Sequence, residues 1–126
     1  MTELQNLTDR VRRALAHQPA VTEKRMFGGV AFMVNGKMCV TVGDHADHQM
    51  MVRIDPAAME RALAKKGASP ARMRGRAIKG YVFLVEEAVT TKRDLDRWVR
   101  LALDYNATIT TPDRATRSTT RRVPRR

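Results

Sequence analysis

Apolar positions along this chain change their spacing several times, and each change marks an element. Leu4, Leu7, Val11, Ala14 and Leu15 recur at three- and four-residue intervals, which places them on one face of a helix from about Thr2 to His17. Thr2 with Gln5 matches a capping box, Asp9, Arg10, Arg12 and Arg13 occupy the opposite face, and Gln18-Pro19 ends the helix. Such a helix packs its stripe on a sheet and leaves its charged face in water.

Three strands follow. The first is expected from about Arg25 to Val34 and the second from Lys37 to Val42. Asn35-Gly36 joins them, a pair that tolerates the positive φ of a tight hairpin turn. Gly28-Gly29 lies inside the first run, where glycine marks a bulge or a close approach by another backbone or a ligand. After a polar loop at Gly43 to His48, Met50, Val52 and Ile54 alternate with Met51 and Arg53 in a third strand, Gln49 to Ile54.

Asp55-Pro56 opens a second helix, with the aspartate as cap and the proline at the first helical position, and Gly67 stops it. A Ser69-Pro70 turn is expected next, then a weak glycine-bearing strand over Met73 to Ile78. Lys79-Gly80 leads into a strand at Tyr81 to Val85 that is rich in β-branched and aromatic residues. Thr91 and Asp94 begin the last helix, which continues to about Asn106 with Leu95, Trp98, Val99, Ala102 and Leu103 on its buried face. Trp98, at the centre of that stripe, reads as a core anchor. The order α-β-β-β-α-β-β-α describes an α+β domain with an antiparallel sheet of about five strands covered by helices.

Composition adds a boundary. A length of 126 residues and 43% hydrophobic content suit one domain with its own core. No apolar run approaches the roughly 20 residues that span a bilayer, and charges interrupt residues 1–20 where a secretory signal would be apolar. A single cysteine, Cys39, cannot form an internal disulfide, so a soluble cytoplasmic protein without membrane contact is expected. The formal charge is +11; six arginines against Asp113 give residues 107–126 a charge of +5, leaving +6 for residues 1–106. Residues 1–106 are therefore read as the folded domain and 107–126 as a disordered arginine-rich tail. Arg114, Arg117, Arg121, Arg122, Arg125 and Arg126 would attract nucleic acid nonspecifically by counterion release, or simply keep the terminus solvated.

Several short motifs in order carry a family resemblance: Glu23-Lys24-Arg25-Met26-Phe27-Gly28-Gly29, Asn35-Gly36-Lys37-Met38, Met51-Val52-Arg53-Ile54-Asp55, Gly75-Arg76, Lys79-Gly80-Tyr81 and Trp98. Over about residues 3–106 the chain resembles the N-terminal domain of the TfoX/Sxy competence-regulator family. The resemblance implies a small α+β domain of the secretion-chaperone-like kind and no catalytic residues. Full-length members act as positive regulators of natural transformation with the cyclic-AMP receptor protein, and they carry a second, helical domain. After Asn106 this chain has the arginine-rich segment instead.

Four features have candidate chemistry. Lys24, Arg25, Arg53, Arg76 and Lys79 could converge beside the Gly28-Gly29 backbone as an anion or partner site; the plainer alternative is a structural network in which Glu23 neutralises an arginine at the sheet edge. Asp44-His45-Ala46-Asp47-His48 has metal-type residues close together, but they share one short loop and no Cys or further His is apparent as a partner, so no metal site is expected. Cys39 lacks a paired base and reads as a small buried hydrophobe, and His17 as a polar cap. The eight methionines, spread over strands and a helix, read as core packing. No nucleophile elbow, phosphate loop or dinucleotide fingerprint occurs.

The expectation is thus a non-enzymatic regulatory or interaction domain without cofactor, linked to transcription or competence. It would contact a protein partner such as a transcription regulator, with a homodimer as one arrangement, and its basic tail would add nucleic-acid affinity. The alternative is a small-anion-binding protein or enzyme built on the basic cluster.

Overall fold

The computed structural model describes residues 3–26 and 28–109. The chain runs through α1 (Glu3–Ala14), β1 (Val21–Met26), β2 (Gly29–Val34), β3 (Lys37–Gly43) and β4 (Met50–Arg53). A 3-10 turn at Pro56–Ala58 leads into α2 (Met59–Leu63), then β5 (Ala68–Met73) and β6 (Arg76–Leu84). A second 3-10 turn at Glu86–Val89 precedes α3 (Lys92–Asn106). All six strands form one open antiparallel sheet in the order β1-β2-β3-β4-β6-β5, so β1 and β5 are its edges.

The architecture is α+β as expected, with one strand more. The run read as a single strand from Arg25 to Val34 is two antiparallel strands, with Met26 opposite Gly29. Gly28 makes the reversal, its φ of +74 lying where side-chain-bearing residues are strained. A second correction concerns Ser69-Pro70, which lies within β5 rather than in a turn. Proline is tolerated there because β5 is an edge strand. The turn falls instead at Arg74 and Gly75, with φ of 54 and 79, and what read as a separate strand to Ile78 continues through Leu84.

The three helices contribute to a single core on one face of the sheet. Leu7, Val11 and Leu15 from α1, Ala62 from α2, and Leu95, Trp98, Val99 and Ala102 from α3 pack against Phe32, Val34, Val40, Val42, Met50, Val52, Val82 and Leu84. Trp98 is buried in this layer, as its central place in the stripe predicts. On the other face Met51, Ala71 and Phe83 form a smaller cluster with Met38 and Tyr81 against it. A bulge sorts these layers: Phe32 faces Val40 but Met33 faces Met38, so Cys39 is an extra residue in β3 and joins the core beside Val40.

The helix caps are local. The Asp94 N–H donates to Thr91 Oγ1 at 3.1 Å, and the Ala57 N–H to Asp55 Oδ1 at 2.9 Å, so these two residues cap as the sequence predicts, while Thr2 lies outside the described residues. The α1 face is tied down by charge. Arg12 bonds Asp9 at 2.7 Å and Glu23 at 2.7 and 2.9 Å, while Arg10 donates to the Val89 carbonyl at 2.8 Å. Among the described residues no helix is long and apolar enough to cross a membrane.

Candidate functional site

The sheet order decides where the basic residues stand. Lys24 and Arg25 lie on the edge strand β1, Arg53 on β4, and Arg76 and Lys79 on β6, with β2, β3 and β4 between the first pair and the last. Arg25 is opposite Val30, and following Val30 through Val42 and Met50 leads to Leu84 at one end of β6. Arg76 is at the other end of β6. The side chains expected to converge are therefore spread diagonally across the sheet, and Arg76 and Lys79 do not border the double glycine. Glu23 pairs with Arg12 of α1, and that hydrogen bond holds its carboxyl below the usual carboxylate range.

The close approach expected at Gly28-Gly29 is real, and the approaching group is the chain's own backbone. A Cβ on Gly29 would meet the Val42 carbonyl oxygen at 1.9 Å and the Gly43 Cα at 2.8 Å. Glycine is required there so that β2 and β3 can pair.

Arg53 has a defined setting. Its guanidinium lies 5.6 Å from the Tyr81 ring centroid and 5.9 Å from that of Tyr105, within range of cation–π attraction to both. It thereby joins β4 to the neighbouring β6 and to the end of α3.

The loop after β3 holds a stack rather than a ligand set. His48 lies against Phe83 with centroids 3.5 Å apart and planes 5° from parallel, and His45 stacks outside it at 4.6 Å. Asp47 Oδ1 is 2.7 Å from His48 Nδ1. Burial against Phe83 lowers the His48 pKa, with repulsion from His45 acting in the same direction and Asp47 opposing it. No cluster of three or more metal-type side chains occurs among the described residues. Cys39 is buried, and loss of hydration pushes its thiol up to about 12. His17 is exposed just after α1, on the rim of a groove of about 530 Å³ between α1 and α3. The groove has Ala14, Val99 and Leu103 among its lining, with Arg13, Arg100 and Asp104 beside them.

Two arrangements escaped the sequence reading. Lys37, buried although charged, crosses to the end of α3, where its ammonium donates to the Asn106 carbonyl at 2.8 Å and to the Ile109 carbonyl. The buried Asn106 amide returns a bond to the Val34 carbonyl at 3.1 Å. Nothing local in Asn35-Gly36-Lys37 reveals a partner 69 residues away. The second is the β5–β6 hairpin tip, where Met73, with 46% of its surface exposed, departs from the packing role expected of the methionines. Its signal was present in the sequence, since Arg72, Arg74, Arg76 and Lys79 fall within eight residues that contain no acid. The six arginines of the tail, from Arg114 to Arg126, lie outside the described residues, as does Phe27.

The family model described as the TfoX N-terminal domain matches residues 13–105. No curated protein matches the chain, and no solved structure matches it.

Proposed function

From the premise that the chain belongs to the TfoX N-terminal domain family, we propose that it is a non-enzymatic regulatory interaction domain acting on transcription, including that of competence genes. The observation that carries this reading is the family match, which spans the body from the end of α1 to the end of α3. The α1–α3 groove, lined by both apolar and charged residues, supports a protein partner such as a transcription regulator. The charge of +5 over residues 107–126 supports nonspecific nucleic-acid affinity in the tail.

The test has two parts. Removing the gene should change a defined set of transcripts, and complementation should restore them; an unchanged transcript profile overturns the regulatory role. Replacing the six tail arginines by serine should weaken nucleic-acid binding and flatten its salt dependence. Unchanged binding removes the tail from the function.

A further inference from the structure

The β5–β6 hairpin outruns the sheet it belongs to. β4 ends opposite Tyr81, and the last main-chain bond from that side runs from the Ile54 N–H to the Gly80 carbonyl at 2.8 Å. Beyond it β5 is the only strand partner of β6, with Arg72 opposite Ala77 and Met73 opposite Arg76. Arg74 and Gly75 close this ribbon in a two-residue turn, both at positive φ, as the twist of a tight hairpin demands. Residues 72–77 and 79 are all exposed, and Ile78 is half-buried.

The chemistry of the tip is one-sided. Arg72, Arg74, Arg76 and Lys79 carry four positive charges, and no acid occurs from Ala68 to Gly80. Among the described residues none of the four side chains has a hydrogen bond or ion pair. Met73 is the one exposed large hydrophobic side chain among them. Folding gains nothing from crowding like charges around an exposed methionine. A dense array of phosphates with apolar base edges beside it would relieve both costs.

We propose that this hairpin tip seats in a groove of duplex DNA, with Arg72, Arg74, Arg76 and Lys79 on phosphates and Met73 toward base edges. The proposal rests on the nucleic-acid part of the reading above, but assigns contact to the folded body. Shape selects the ligand. The B-form major groove, about 12 Å wide, admits a two-stranded ribbon, whereas the deep, narrow major groove of A-form RNA does not. The Arg72–Ala77 and Met73–Arg76 pairs point to opposite faces of the ribbon, so cations are available to both groove walls. Ile109, held by Lys37, lies at the same end of the sheet as the hairpin, because β3 starts and β4 finishes there. A bound duplex would thus be near the root of the arginine-rich segment as well.

The experiment measures binding of a short DNA duplex across a salt series by the full chain and by a full-length variant with Arg72→Ser, Arg74→Asn and Arg76→Thr. Asparagine keeps the left-handed turn position accessible. The triple variant should bind at least about tenfold more weakly at moderate salt, with a log–log salt slope shallower by about 3, one unit per lost phosphate contact. Met73→Ala should weaken binding without changing the slope. Circular dichroism keeps the fold under watch, since these exposed side chains have no partners to lose. Unchanged affinity and slope in the triple variant overturn the proposal while leaving the tail reading intact. Loss in the triple variant alone, with the serine-tail chain unaffected, supports the hairpin and removes the tail. An equal loss on double-stranded RNA of the same sequence overturns the assignment to DNA.

Discussion

The ammonium of Lys37 is bonded to the main-chain carbonyl of Asn106 at 2.8 Å, and both residues are buried. The bond joins the start of β3 to the end of α3, and the Asn106 amide completes the link by donating to the Val34 carbonyl. Carbonyls at a helix C-terminus lack intrahelical partners, so a cation placed there both satisfies them and opposes the negative end of the helix dipole.

Breaking this link should be costly. Asn106→Ala is expected to lower unfolding free energy by about 1–3 kcal/mol, since it removes a buried hydrogen bond to the Val34 carbonyl. Lys37→Met should cost a similar amount, and the double variant less than the two single losses combined, because they share one network. Urea denaturation measures all three, and wild-type stability in Asn106→Ala would contradict the account.

Gly29 and Gly28 should respond differently to alanine. At Gly29 the new methyl would collide with the Val42 carbonyl, and backbone atoms must shift, at a cost of about 1–3 kcal/mol or more. At Gly28 the space is open and only the left-handed conformation is penalised, by about 1–2 kcal/mol. Thermal melts of the two variants should therefore place Gly29→Ala lower.

The His48 stack makes stability depend on pH. Burial lowers the pKa of His48 below its unfolded value, so the unfolded chain binds the extra proton more readily. Its contribution is complete above the ordinary histidine pKa and is lost as pH falls through that value toward the depressed one. His48→Gln should flatten this part of the profile. An unaltered pH profile in the variant would place the dependence elsewhere.

Cys39 should be inert while the protein is folded. Its thiol, pushed up to about 12 by burial, holds almost no thiolate at neutral pH. Alkylation followed through a urea titration should track unfolding. Rapid labelling of native protein would mean that the strand opens locally.

What could be read from the chain was local chemistry. The Asn35-Gly36 turn has both residues at positive φ, Thr91 caps α3, and Trp98 anchors the core. The split between β1 and β2 was harder to see because their apolar residues run on through the double glycine, and hydrophobic pattern alone does not mark a reversal. Pro70 read as a turn because its tolerance in a strand depends on β5 being at an edge, which only strand order decides. Strand order also separates Arg25 from Arg76. The Lys37–Asn106 link needs helix and sheet already packed, and no window of sequence contains both residues.

An open sheet leaves a row of unpaired peptide groups along each rim, an invitation to a further strand from another molecule. On β1 that rim carries Glu23, Lys24 and Arg25 in succession. On β5 it carries Pro70, which offers no N–H, followed by Arg72. Such borders discourage runaway stacking of one molecule on the next. Growth of this sheet from one molecule into the next is therefore disfavoured at both of its rims.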